Sequence, residues 1–134
     1  MSALNARENA IMSFTPAADY SDKEGYGVTL SSETATINAS ATVENSGVIM
    51  EGNPTTAGYA TEFVTVGLFG MKGTCRVRLG GTIVKGVSIQ QHTDGTFITD
   101  AGSGNRVLCG TALQAGVSGD LIEAILSGPC YYAA

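Results

Sequence analysis

The alternation of apolar and polar residues is irregular at the start of the chain and becomes regular from Gly25 onward. Tyr26-Gly27-Val28-Thr29-Leu30 places apolar side chains at every second position, the spacing of a half-buried strand. Thr34–Ile37 reads as another strand, which Ser40–Val43 is expected to continue. Gly47–Met50 is a buried run closed by the turn residues Gly52-Asn53-Pro54. Glu62–Phe69 carries the strongest strand signal. After a Gly70–Gly73 link that suits a hairpin, Gly73–Leu79 alternates apolar residues with Arg76 and Arg78, so both arginines fall on one face. Further strands are expected at Val87–Gln91, Thr96–Thr99, Arg106–Ala115 and Leu121–Ser127, separated by Gly-rich or Asp-Gly turns. Roughly eight to ten short strands at such spacing imply an all-β fold, a small single-domain barrel or sandwich.

Met1–Glu24 holds neither the period of a strand nor that of a helix for long. The expectation is an extended, flexible N-terminal arm over residues 1–24 and a β-barrel domain over residues 25–134. Ile11, Met12, Phe14 and Tyr20 give that arm apolar anchors able to dock on a neighbouring subunit. An internal echo aligns Ala57–Val66 with Ala115–Ala124, and Val48-Ile49 with Val107-Leu108 upstream; two such copies would be paired halves of one barrel.

Composition supports a β-rich shell or interaction domain. Gly occurs 18 times, Trp is absent, and charged residues make up 14% of the chain, against about 25% in an average globular domain. The formal net charge is −5, and the only local excess of cations is Arg76, Arg78 and Lys85 with Lys72 upstream. Nucleic acid is therefore a disfavoured partner, because neutralising phosphates requires clustered cations. No apolar run approaches the roughly 20 residues of a membrane span, and the N-terminal stretch has no apolar core of a secretory signal, so the expectation is synthesis in the cytoplasm without a membrane partner.

Candidate chemistry is sparse. Cys75, Cys109 and Cys130 are odd in number and lack the spacing of a disulfide framework or a zinc site, and they read as free thiols. With His92 the lone imidazole, a nucleophilic triad would have to be built around Gln90–Asp94, and it reads as a solvated loop residue. Asp94 and Asp100 form the nearest thing to a carboxylate pair. Their loop lacks the ligand pattern of a calcium site, and Gly102-Ser103-Gly104-Asn105 has no Lys to complete a phosphate cradle. The expectation is no catalytic residue, no cofactor and no metal.

The segment Gly47–Pro129 carries Gly47-Val48-Ile49, Glu62–Val66 after Ala57-Gly58, Ile83–Val87, Cys109–Leu113 and Ala115–Glu123. With these elements it resembles the head decoration, or capsid cement, proteins of tailed phages. The resemblance implies a homotrimer on the outer capsid surface, with the major capsid protein as partner, clamping junctions between capsid subunits. On that reading Ile11, Met12, Phe14, Tyr20, Arg76 and Arg78 are the candidate capsid-binding residues. The alternative is a small ligand- or carbohydrate-binding barrel, or a small enzyme, whose stacking platform would fall to Tyr59, Tyr131 or Tyr132.

Overall fold

The computed structural model describes residues 11–69 and 74–133. Within them lie ten strands: β1 (Ile11–Pro16), β2 (Gly27–Ser31), β3 (Thr34–Ile37), β4 (Gly47–Glu51), β5 (Val64–Leu68), β6 (Cys75–Arg78), β7 (Ser88–Gln91), β8 (Phe97–Thr99), β9 (Arg106–Ala112) and β10 (Leu121–Tyr132). A 3-10 turn at Tyr59–Thr61 leads into β5. The first five strands close a barrel in the order β1-β3-β2-β4-β5, and the last five form a second sheet in the order β6-β10-β9-β7-β8. The chain is a small, single all-β domain of barrel and half-barrel.

Each sheet has its own core. Val28, Ala35, Ile49, Val64 and Val66 fill the barrel together with Tyr20. Val77, Ile89, Phe97, Val107, Ile122 and Leu126 are among the side chains that line the inner face of the second sheet. Between the two lies β4, whose neighbours in sequence face opposite ways: Val48 belongs to the sheet core and Ile49 to the barrel core. A strand buried on both faces loses its polar alternation, which is why Gly47–Ile49 reads as an unbroken apolar run.

The junction is stitched by backbone bonds. Gly25 gives its N–H to the Ile49 carbonyl (2.8 Å) and accepts from the Arg78 N–H (2.9 Å), while Gly27 donates to the Gly95 carbonyl (2.8 Å). Gly25 has φ +86°, and a Cβ there would come within 2.5 Å of the Arg78 nitrogen, so the crossing admits no side chain. Arg78 secures the same segment by donating from Nε to the Glu24 carbonyl (3.2 Å) and from Nη1 to the Gly119 carbonyl (2.8 Å).

A buried amide joins the units a second time. Gln91 on β7 accepts the Asn45 N–H (2.7 Å) and donates to the Val43 carbonyl (2.6 Å). Asn38 donates to the same carbonyl (2.6 Å) and to Asn45 Oδ1 (2.8 Å). These contacts explain why Ser40–Val43 does not extend β3. The Ser40 hydroxyl oxygen accepts the N–H groups of Thr42 and Val43 (3.2 and 3.1 Å), so side chains satisfy the backbone there in place of a sheet partner.

The expected arm needs correction. Ile11–Phe14 pair antiparallel with β5, and Thr15 and Pro16 pair parallel with β3, so residues 11–16 are a stave of the barrel. Tyr20 is buried, and its hydroxyl oxygen accepts the Ile37 N–H (3.0 Å). The change of partner partway along β1 breaks the alternation that would have marked a strand. Residues 1–10 of the expected arm and the Gly70–Gly73 link lie outside the described residues. The internal echo maps onto two hairpins, β4–β5 and β9–β10, but these sit in different sheets and are not paired halves of one barrel.

Two outcomes test this architecture. Gln91→Met keeps the volume but strands the buried Asn45 N–H, and urea unfolding should show a loss of about 1–3 kcal/mol. Deleting residues 1–16 should abolish a cooperative thermal transition; a melting temperature close to that of the full chain would mean that β1 is not a barrel stave.

Candidate functional site

Two surface depressions stand out among the described residues. The first is a cleft of about 320 Å³ at the junction, walled by Glu24, Gly25, Ile49 and Met50 on the barrel side and by Thr74, Cys75, Arg76 and Glu123 on the sheet side. Arg76 and Glu123 are opposite each other on β6 and β10. Arg76 Nε lies 3.4 Å from Glu123 Oε1, and the Thr74 hydroxyl donates to Glu123 Oε2 (2.8 Å). An exposed pair of this kind orients side chains and adds little stability. Burial, together with the nearby Glu123 carboxylate, pushes the Cys75 thiol up to about 11, so it stays protonated at neutral pH.

The second depression, of about 400 Å³, lies on the barrel between β1 and the β2–β3 turn, with Met12, Phe14, Ser32, Glu33 and Phe63 in its lining. Phe63 is 61% exposed and Met12 41%, so two large apolar side chains stand at the surface of one depression. Thr15 gives its N–H to the Glu33 carbonyl (2.8 Å), so alternation turns the backbone of Ser13 toward the same gap.

The six candidate contact residues thus separate. Met12 and Phe14 meet at the barrel groove, and Ile11 is half-buried beside them at the start of β1. Arg76 is exposed on the junction cleft. Tyr20 is taken up by the barrel core, and Arg78 by the carbonyls of Glu24 and Gly119. Sequence inspection missed Phe63, which sits just before β5 and looked like part of that strand.

The residues screened for chemistry are held in local structure. Asp94 lies in the β7–β8 turn and Asp100 beyond the other end of that hairpin, so they do not converge. Burial opposes the charge of Asp94, but the hydroxyl and N–H of Thr96 outweigh it and hold the carboxyl below its ordinary value. Asp100 is likewise lowered, first by the Gly102 N–H and then, against some burial, by Arg106, whose Nε is 2.6 Å away. Arg106 also stacks over the Tyr132 ring, 5.1 Å from its centroid. The loop read against a calcium site is therefore pinned by its own side chains. Among the described residues no group of three or more His, Cys, Asp and Glu could hold a metal ion, and no helix is long and apolar enough to cross a membrane. Tyr59 belongs to the 3-10 turn before β5, whereas Tyr131 and Tyr132 end β10 in the other sheet, so the three do not share an element or a sheet.

No family model matches the chain, and no curated protein does. A solved structure matches over nearly its whole length: the head fiber gp8.5 N base in bacteriophage phi29, with a TM-score of 0.60, 14% identity, and coverage of 87% of this chain and 92% of that one. The likeness is one of fold. It reaches across both the barrel and the second sheet, so the pairing of the two units, and not a common barrel alone, is what the two proteins have alike.

The three thiols differ in a way that labelling can read. Cys130 is exposed, whereas Cys75 and Cys109 are buried, and burial aided by the Glu44 charge raises the Cys109 thiol to about 12. A maleimide should modify Cys130 alone in the native protein and all three thiols after denaturation, as mass spectrometry will show; rapid native modification of Cys109 would contradict the packing described.

Proposed function

We propose that the chain is a structural protein of a phage virion, displayed on the outside of the head, held there by the major capsid protein and assembled as a homotrimer. The observation that carries this reading is the shared two-unit fold with a phage head fiber base, which extends over 87% of the chain. The earlier resemblance to capsid cement proteins points to the same place on the virion. The proposed role is mechanical. Many modest contacts, multiplied by the symmetry of the shell, favour the assembled state in proportion to how much better the protein binds it than its separate parts.

On this reading the chain does no chemistry. The carboxylates most suited to catalysis, Asp94 and Asp100, are engaged by Thr96 and by Gly102 and Arg106, and the buried thiols of Cys75 and Cys109 are protonated at neutral pH. The proposed capsid contact is the barrel groove, where Met12 and Phe63 expose apolar surface. A groove with exposed apolar side chains in its lining suits a segment of a partner whose own apolar side chains fill its recesses.

Heads assembled without this protein should take it up at ordered surface positions when the purified chain is added, as seen by cosedimentation and cryo-electron microscopy. The double substitution Met12→Asp with Phe63→Asp should lower that occupancy about tenfold or more, as loss of central interface anchors does. Heads that never bind the protein would overturn the proposal. Binding unchanged in the double variant would move the contact away from the barrel groove.

A further inference from the structure

The chain passes from the barrel to the second sheet between β5 and β6, and the described contacts that join the two units elsewhere are non-covalent. The β7–β8 hairpin makes two of them. At its base Gln91 accepts the Asn45 N–H, and at its tip the turn reaches the barrel directly. The Gly95 carbonyl accepts the Gly27 N–H at the start of β2 (2.8 Å). Gly95 is buried with φ +86°, and a Cβ there would lie 2.5 Å from Ile37 Cγ2 and 3.1 Å from Tyr26 Cδ2. The tip is therefore seated against Tyr26 and Ile37 in a space with no room for a side chain.

Asp94 shapes that tip. Its Oδ1 accepts the Thr96 N–H (3.0 Å) and the Thr96 hydroxyl, which closes the turn around Gly95. Thr96 is buried, and its carbonyl takes the His92 N–H (3.0 Å) across the hairpin. A side chain at Gly80 would strike the Thr96 hydroxyl, so the β6–β7 link backs the turn from behind. Asp94 itself is exposed. Solvent can thus change the charge of a group whose bonds position a buried contact.

Few titratable groups stand on the elements around the turn. His92 is on the same hairpin, and from the barrel come the Tyr26 phenol and Lys23, whose Nζ lies 5.1 Å from the centroid of that ring. Ile37, Asn38 and Gly80 bring no charge. Of these groups His92 is the one that acts on Asp94, and its cationic form favours the carboxylate. Burial opposes the Asp94 charge, but the Thr96 bonds and His92 outweigh it.

We infer that the β7–β8 turn is an acid-released latch between the barrel and the second sheet, with Asp94 as the positioning residue that keys Gly95 into its seat against Gly27, Tyr26 and Ile37. A carboxyl lowered on folding contributes stability that is present above its unfolded value and lost as pH falls through the folded one. The latch is thus closed at neutral and mildly acidic pH and opens below the ordinary carboxylate range. The seam on the other side, where Gly25 bonds to Ile49 and Arg78, is made of backbone groups that do not titrate. Acid therefore loosens the junction at the hairpin first.

Amide hydrogen exchange of the full chain, read residue by residue by NMR and corrected for intrinsic rates, tests this. The Gly27 amide reports the latch and the Arg78 amide, which donates to Gly25, reports the other seam. Asp94→Ala should lower Gly27 protection about tenfold at pH 7, as loss of a bond to a charged group does, and leave Arg78 protected. Asp94→Asn keeps an acceptor without the charge, so it should restore most of the Gly27 protection. In the native chain, protection of Gly27 should fall between pH 5 and pH 2.5 ahead of that of Arg78, and in Asp94→Asn it should not fall ahead. Asp100→Ala, at the far end of the hairpin, should leave Gly27 unaffected. Gly27 protection that is unchanged in Asp94→Ala, that falls there in step with Arg78, or that ignores pH in the native chain overturns the inference.

Discussion

The burial of both faces of β4 is the constraint on which the rest of the structure depends. Val48 is packed into the second sheet and Ile49 into the barrel, and neither exposes any surface. Each aliphatic side chain of this size contributes about 1.5–3 kcal/mol by burial, so a single strand couples two cores that would each be small alone. The neighbouring segment must then pass within bonding distance of both units. Gly25 meets that demand by bonding to Ile49 on one side and Arg78 on the other, in a conformation and a space that exclude a side chain.

Polar groups complete the join where apolar contact ends. The loop between β3 and β4 is too polar to pack as core, and Gln91, Asn38 and Asn45 satisfy one another and the loop's backbone instead. Among the described residues no buried side-chain nitrogen or oxygen lacks a partner. Such a network favours one relative placement of barrel and sheet, because any shift leaves a buried amide unpaired and costs more than an apolar slip would.

The division of charge follows from the same architecture. The barrel half gathers the acids and the sheet half balances its own, although nothing in the overall net charge of −5 reveals it. Arginines are likewise assigned by the fold. Arg76 remains at the surface with Glu123, while its neighbour on the same strand face, Arg78, is drawn into the junction by two carbonyls from distant parts of the chain.

The sequence by itself determined the fold class and most of the strands. Alternating residues at Gly27–Ser31, the apolar run at Gly47–Ile49 and the Arg-bearing strand at Cys75–Arg78 are local signals, and their turns are marked by Gly, Asn and Asp. Tertiary structure alone decided that Ile11–Pro16 is a barrel strand, that Tyr20 is core, that Phe63 joins Met12 at a groove, and that the hairpins of the internal echo lie in separate sheets. The physical reason is that each of these depends on a partner distant in the chain. β1 exchanges β5 for β3 after four residues, so its side chains follow two environments in turn, and no single period in the sequence can record a strand whose neighbours change along its length.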